Sequence, residues 1–442
     1  MERGWAWVAA AIVLAACSHA ATTAAPEARD PGYGPEPTLP APQKKLIPTV
    51  RIAPAKPWPP GTAPAAAAGL AVNAFATGLQ HPRWLLVLPN GDVLVAETNA
   101  PARPDDGKGL KGALMKLEMK KAGAAAANAS RITLLRDADG DGRAETREVL
   151  LPNLNSPFGM ALVDGRLYVA NTDAVVWFPY RAGDTRIADA GTKLVDLPGG
   201  PINHHWTKNL IANADGSRLY VTIGSNSNVG ERGLAAEDGR AAIWEVDTAT
   251  GRHRVFASGL RNPNGLAWEP GSKVLWTVVN ERDELGNNLV PDFLTSVRDG
   301  GFYGWPWSYY GAHVDERVTP PRPDMVARAV PPDYALGSHT ASLGLTFSAG
   351  TSLGPAYTHG VFVGQHGSWN RDPPSGYKVI FVPFDGPKPA AGAMPVEVLT
   401  GFLGPEGEAR GRPVGVALDK RGALLVADDV GDTVWRVSRA SP

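Results

Sequence analysis

The sequence predicts an all-β domain, a six-bladed β-propeller, and three observations carry that expectation. One short motif recurs along the chain, each copy precedes a polar turn and a second apolar strand, and turn formers are abundant, with 50 Gly and 40 Pro. The clearest copy of the motif is Gly259-Leu260-Arg261-Asn262-Pro263-Asn264-Gly265-Leu266-Ala267-Trp268. Related copies stand at Asn155-Ser156-Pro157-Phe158-Gly159, at Gly411-Arg412-Pro413-Val414-Gly415 and, more weakly, at Gln80-His81-Pro82-Arg83. Degenerate copies at Ser342-Leu343-Gly344-Leu345 and Thr207-Lys208-Asn209-Leu210 complete the set.

The turn and strand after a copy are seen in Asn90-Gly91-Asp92-Val93-Leu94-Val95, Asp215-Gly216-Ser217-Arg218-Leu219-Tyr220-Val221 and Arg421-Gly422-Ala423-Leu424-Leu425-Val426. Each unit therefore reads as a β-hairpin. With the Pro-equivalent positions at 82, 157, 207, 263, 342 and 413, the copies are about 50 to about 80 residues apart, the range of propeller blades with loop insertions. Pro biases the preceding residue to extended geometry and Gly permits close backbone approach, as an innermost strand at a crowded axis requires. The residues just before the Pro then ring the mouth of the channel.

Ahead of the propeller, residues 1–17 read as a lipoprotein-type signal peptide. Arg3 is followed by an apolar run from Val8 to Ala16, too short to cross a bilayer core. Leu14-Ala15-Ala16-Cys17 resembles a lipobox, and Cys17, the single Cys of the chain, becomes the lipid-bearing terminus; the alternative is an ordinary signal with an incidental Cys. Ser18 after it points to an outer-membrane, periplasm-facing location. Residues 18–68 are rich in Ala and Pro without apolar periodicity, the composition of an extended tether with little order. The propeller occupies residues 69–440. A net charge of −1 gives nucleic-acid binding no support.

The motif alignment also sorts the polar residues. His205 and Arg261 fall in register, two positions before the Pro site of consecutive blades, and Trp206 and Asn262 share the next position with His81, Ser156 and Arg412. An imidazole there can act as a general base near neutral pH, and a guanidinium can bind an anion or stabilise oxyanion charge. The alternative for the same residues is a set of solvated loop positions at the rim. Arg410 and Arg412 flank one residue, so on an extended segment they point to one side and suit a multiply charged carboxylate.

The run from Asp137 to Glu148 satisfies a twelve-residue calcium-loop pattern, with Asp137, Asp139, Asp141 and Glu148 at positions one, three, five and twelve and Gly142 at six. Its flanks look like strands, which makes it a β-hairpin calcium site; the alternative is an Asp/Gly-rich turn without metal. Two aromatic, Gly-rich stretches, Gly300 to Pro306 and Gly364 to Arg371, line a flat pocket or pack between blades, and His366 is a candidate substrate contact.

Taken together, His205 ahead of Tyr220-Val221-Thr222-Ile223-Gly224, the Leu260-Arg261-Asn262-Pro263-Asn264-Gly265 motif, Gly300-Gly301-Phe302-Tyr303-Gly304-Trp305-Pro306 and Arg410-Gly411-Arg412 resemble a known family. It is that of the soluble pyrroloquinoline quinone (PQQ)-dependent sugar dehydrogenases, in particular the sorbosone dehydrogenase-like branch, over roughly residues 70 to 440. The resemblance implies PQQ over the channel mouth with calcium at its reactive carbonyl, and a sugar or sugar-derived aldehyde as substrate. It makes His205 the base for the substrate hydroxyl, sets Arg261 and Asn262 at the quinone, and pairs Arg410 and Arg412 with cofactor carboxylates. Electrons would pass to a quinone or cytochrome acceptor. Four features depart from the family pattern: Ser225 replaces an Asp that buttresses the His, Asn209-Leu210 replaces the Arg-Leu after the His, Glu281-Arg282 is the nearest match to the Gly-Pro pair whose carbonyls hold calcium, and a fifth-blade Lys has no clear counterpart near Gly364 to Arg371. Two other functions suit a propeller, a calcium-dependent lactonase-type hydrolase and a non-catalytic binder of glycans or envelope proteins. The first needs a carboxylate-lined metal at the axis, where the aligned positions offer His, Asn and Arg.

Overall fold

The computed structural model describes residues 32–43, 49–102 and 128–440, and Cys17 and the remainder of the signal lie outside them. Six antiparallel sheets form the blades. Blade 1 consists of Pro82–Val87, Val93–Glu97, Arg131–Arg136 and Thr146–Leu151. Blade 2 consists of Met160–Val163, Arg166–Ala170, Ala174–Pro179 and Thr192–Asp196. Leu210–Ala212, Arg218–Ile223, Ala242–Asp247 and His253–Ser258 make blade 3. Pro263–Trp268, Leu275–Val279, Pro291–Ser296 and Tyr334–Ser338 make blade 4. Blade 5 is Ser342–Phe347, Gly360–Gln365, Lys378–Asp385 and Val396–Thr400. In blade 6, Pro413–Leu418, Leu424–Asp428 and Thr433–Arg439 are completed by Leu70–Ala76 from the other end of the domain.

The repeated Gly explains why these inner strands pack into a ring. A Cβ on Gly415 would lie 2.8 Å from the Arg83 carbonyl oxygen, and one on Gly265 would lie 2.7 Å from that of Leu343. Gly159 and Gly344 meet the backbones of Leu210 and Val414 in the same way. Close approach, not a left-handed φ, is what these positions demand. The motif also bends the chain. Register shifts follow Pro82, Pro263, Ser342 and Pro413, bulges that turn the residues before them toward the mouth.

Between the blades lie apolar layers. Leu94, Ile132 and Leu134 of blade 1 meet Leu167 and Val169 of blade 2. Val175 and Tyr168 meet Leu219, Val221 and Trp244 across the next seam. Phe362, Val379 and Phe381 of blade 5 pack on Leu424, Val426 and Trp435 of blade 6. Leu425, Ala427 and Val434 return to Val93, Val95 and Leu135, which closes the circle.

The segment expected to be a tether of little order is extended, but its described part lies on the propeller. Tyr33–Gly34 pairs with Tyr334–Ser338 of blade 4, and Ala65–Ala66 pairs with Val396–Thr400 of blade 5. Between them, Gln43 donates its N–H to Leu285 O at 2.9 Å and Arg51 to Trp369 O at 2.8 Å. Prolines remove donors without preventing the intervening residues from pairing at sheet and loop edges, which is where this segment runs.

Candidate active site at the channel mouth

His205 stands just before the inner strand of blade 3, and the second strand of that blade ends behind it. Its Nδ1 lies 2.7 Å from the Ser225 carbonyl oxygen and 3.1 Å from Ser225 Oγ. A carbonyl only accepts, so Nδ1 carries the proton and the neutral ring keeps its lone pair on Nε2. Ser225 thus orients the ring through its backbone. Gly224 makes room: any Cβ there would collide with the His205 side chain and with Asn262 Oδ1. Burial, reinforced by the Arg261 charge, holds the imidazole well below the usual histidine range. Beneath the ring, the buried Lys208 donates from Nζ to His205 O at 3.0 Å. Burial and then Arg240 press that ammonium well below the ordinary lysine value.

Arg261 is bonded at all three nitrogens. Nη1 donates to Glu281 O at 2.6 Å, Nη2 to Asp283 Oδ2 at 3.1 Å and Asn228 Oδ1 at 3.0 Å, and Nε to Asn228 O at 3.3 Å. Asp283 also accepts from Asn370 Nδ2 at 2.7 Å and faces His339 Nδ1 at 3.4 Å. Burial works against its ionisation, but Arg261, His339 and Asn370 together hold the carboxyl below its usual value. Ser225 N–H donates to Arg261 O at 2.7 Å, which ties blades 3 and 4 together at this point. Asn262, almost fully buried, has an Oδ1 with no hydrogen-bond partner among the described residues.

Across the mouth, Asp429 gathers a second cluster from blades 1, 5 and 6. Arg83 Nη1 lies 3.1 Å from it, His366 Nε2 2.9 Å and His81 Nε2 3.5 Å. Burial opposes the charge, yet these neighbours keep Asp429 ionised far below the carboxylate range. Burial also pushes His366 down to about 4 despite Asp429. The Arg83 guanidinium sits 5.9 Å from the Phe158 ring and 5.5 Å from that of Trp206, within cation–π reach.

Arg412 belongs to this half. It stacks 4.8 Å from the Tyr377 ring, and its guanidinium donates to two carbonyls, Ala53 O at 3.3 Å and Gly367 O at 3.4 Å. Among the described residues, its buried Nε has no partner and no carboxylate pairs with it. Arg410 does not join it. That residue turns to Glu408, Nε donating to Oε1 at 3.2 Å, with the side chain 27% exposed. Alternation along an extended segment does not apply here, because the strand begins only at Pro413.

The expected metal residues divide as well. Arg282 is fully buried, its Nε 3.1 Å from Glu281 Oε2 and its Nη1 3.0 Å from Asp315 Oδ2. With a guanidinium in that place and Glu281 O already accepting from Arg261, the Glu281-Arg282 pair does not present a calcium cradle. The hairpin of blade 1 is different. Asp137, Asp139, Asp141 and Glu145 each bring a carboxylate oxygen within 4.8 Å of the others. Glu148 is not among them: the strand starts at Thr146, so Glu148 is extended opposite Leu134 and Glu145 takes its part.

Motif alignment missed Asp283, His339, Asn370, Asp429, Arg83 and Lys208. Two of these were within its reach, since Arg83 and Lys208 both stand one position after the Pro site. His366 and Asp429 follow the second strands of their blades, as Ser225 nearly does, so alignment of second-strand ends carries the remaining signal.

Known proteins share this architecture. The PQQ domain of a pyranose dehydrogenase from Coprinopsis cinerea superposes with a TM-score of 0.66 at 22% identity, over 86% of this chain and 98% of that one. A Trichoderma reesei enzyme of Carbohydrate-Active Enzymes Family AA12 gives 0.67 at 18% identity, over 90% and 100%. The PQQ-bound aldose sugar dehydrogenase of Streptomyces coelicolor gives 0.53 at 18% identity, over 85% and 99%. In sequence, the chain is 26% identical over 293 residues to an uncharacterized protein of Borreliella burgdorferi, 64% of this chain and 76% of that one. It is 24% identical over 359 residues to the PQQ-dependent pyranose dehydrogenase of Coprinopsis cinerea, 71% of this chain but only 44% of that enzyme. The family described as TrAA12-like matches residues 64–293 and 324–440, and the chain belongs to that family.

Proposed function

We propose that the protein is a PQQ-dependent dehydrogenase that oxidises a sugar or a sugar-derived aldehyde. The single observation that carries this reading is His205, its Nδ1 proton committed to Ser225 O and its Nε2 unbonded among the described residues, beside the fixed charge of Arg261. The mouth fits a planar anion: Arg412 is a buried guanidinium without a counter-charge among the described residues, and its unpartnered Nε–H suits a carboxylate of PQQ, while the unpartnered Asn262 Oδ1 accepts and so suits an N–H such as that of the PQQ pyrrole ring. Arg412 and Asn262 would hold it, beside the fixed charge of Arg261. When bound, PQQ supplies the two-electron acceptor.

The protein's part is acid–base and electrostatic. His205 Nε2 takes the proton from the substrate hydroxyl as its C–H bond is oxidised. Ser225 keeps the ring in the tautomer that can do so, and Gly224 keeps it in place. Arg261, held by Glu281 O, Asp283 and Asn228, offers positive charge without having to reorganise.

Calcium, in this reading, occupies the carboxylates of Asp137, Asp139, Asp141 and Glu145, whose oxygen-rich set suits a hard cation. There it would act on stability, because the loop rests on blade 6: Asn73 Nδ2 donates to Gly142 O at 2.8 Å and Arg421 Nη1 to Gly140 O. A lactonase has less support, since the metal-type cluster among the described residues lies on this hairpin and not at the axis. The protein is further proposed to face the periplasm from a lipid anchor at Cys17 and to pass electrons to a quinone or cytochrome.

The test is reconstitution of the purified protein with PQQ and calcium, followed by dye reduction with a panel of aldoses and aldehydes. Reduction that requires both PQQ and a sugar or aldehyde is the expected result. Absence of PQQ binding removes the proposal.

A further inference from the structure

Residues 51–58, ahead of the matched family region, run along the mouth-side loops of blades 5 and 6. Arg51 forms a parallel bridge with Asn370, and Ala55 forms another with Ala409. Ala409 N–H donates to Pro54 O at 2.8 Å and Lys56 N–H to Ala409 O at 2.9 Å. From this segment two groups reach Arg412 by separate routes. The Ala53 carbonyl accepts from Arg412 Nη2 at 3.3 Å. The Trp58 indole N–H donates to Asp428 Oδ2 at 2.9 Å, and the other oxygen of that carboxylate accepts the main-chain N–H of Arg412 at 2.7 Å.

Trp58 is itself fixed, edge-on to Phe402 and Trp435 at 5.6 and 5.5 Å between centroids. Trp435 Nε1 and Gly431 N–H complete the bonding of Asp428 at 3.0 and 2.8 Å. Apart from Gly367 O, the Tyr377 face and the Asp429 N–H that donates to Arg412 O at 3.3 Å, the contacts given for Arg412 pass through this segment or through the carboxylate it braces.

We propose that residues 51–58 form a positioning strap, in which Ala53 and Trp58 hold Arg412 ready for a carboxylate-bearing ligand at the mouth. The proposal rests on the PQQ reading for the identity of that ligand. The physical reason is pre-organisation: a long guanidinium side chain loses much rotamer freedom on binding, and a strap that orders it beforehand removes that cost. Ala53 and Trp58 touch no ligand; they act through Arg412.

The experiment uses the full-length protein with Trp58→Phe, which keeps the ring and deletes the N–H. The dissociation constant for PQQ is measured by fluorescence titration, and amide hydrogen exchange is followed at Arg412, Ser225 and Asn280. Affinity should fall roughly threefold to tenfold and the Arg412 amide should exchange roughly tenfold faster, while Ser225 and Asn280 are unchanged. In an Arg412→Ala background, Trp58→Phe should add nothing. Pro54→Gly, which loosens the segment without touching the indole, should give the same ordering at smaller amplitude and serves if Trp58→Phe does not fold. Unchanged affinity and exchange, losses that add to those of Arg412→Ala, or acceleration at all three amides would overturn the proposal. Failure of the unmodified protein to bind PQQ would remove the cofactor reading alone; exchange at Arg412 would still decide whether the strap holds it.

Discussion

The two halves of the channel mouth differ in how completely their cations are bonded. On blades 3 and 4, every nitrogen of the Arg261 guanidinium donates to a fixed oxygen, and one of its partners, Asp283, is itself held by Asn370. On blades 5, 6 and 1, Arg412 makes long contacts to two carbonyls and, among the described residues, keeps an unbonded Nε and has no carboxylate. A saturated cation is a fixed source of potential and cannot adjust without loss; an unsaturated one has bonding capacity left for a ligand. Under the proposed function, the difference separates an arginine that acts on the reaction from an arginine that holds the cofactor.

Changing the base gives the largest effect. His205→Ala should lower turnover at saturating PQQ by about 10²–10⁴-fold, with PQQ affinity within about threefold of the unmodified protein. Titration and stopped-flow turnover together read both. If affinity falls as far as turnover, the two halves are not separable.

Arg412→Ala is the mirror experiment. It should weaken PQQ about tenfold to a hundredfold, as expected for a hydrogen-bonded charge pair, and leave turnover at saturation nearly unchanged. Arg410→Ala, whose partner is Glu408, should change affinity by no more than about twofold. Calorimetric titration decides between the two arginines.

A pH profile sharpens the comparison further. Because burial and Arg261 depress His205, the acid limb of kcat/KM should lie below the free-histidine value of about 6.5. Arg261 favours the neutral ring, so Arg261→Met removes that contribution and must move the limb upward, toward neutral pH. Arg412→Ala should not move it. A downward shift in the Arg261 variant would contradict the assignment of the base.

The smallest expected effect is that of metal. Chelation, or Asp139→Asn, should lower the midpoint of thermal unfolding by a few degrees, and calcium should restore it only in the unmodified protein. PQQ affinity should be unaffected, since the hairpin carboxylates lie on blade 1's third turn and not among the residues of the mouth. Differential scanning calorimetry with and without calcium measures this.

The inner strands were legible in the sequence because the axis imposes a local demand. Gly at 159, 265, 344 and 415 is required where the next blade's backbone approaches, and Pro two positions earlier, replaced by Ser at 342, leaves a visible mark. His205, Arg261 and Asn262 stand out as candidates because they share that register. Asp283 lies in a loop whose sequence has no period, and only the folded ring brings it to Arg261; Asp429 carries only the weaker mark of a second-strand end. Arg410 departs from the expected pairing because alternation holds only within a strand, which begins at Pro413, and Glu148 departs because the twelve-residue spacing runs past the turn into the strand that starts at Thr146. Composition hid the strap as well: Ala and Pro carry no apolar periodicity, and the segment is held chiefly through main-chain bonds that side chains do not announce. Trp58, a lone aromatic among prolines, was the available signal.

The pairing of Leu70–Ala76 with Thr433–Arg439 has a consequence for how the protein is made. The first strand of the domain is made before the six inner strands and finds its partner only after the rest of the domain has been made. Until then blade 6 lacks its outer strand and the ring has an open seam, with two unpaired edges that invite other chains. Such a closure carries the loop-entropy cost of nearly the full domain, so it belongs among the late and slow events of folding. A product lacking only the final strand would fold most blades and yet remain an unsealed, aggregation-prone ring.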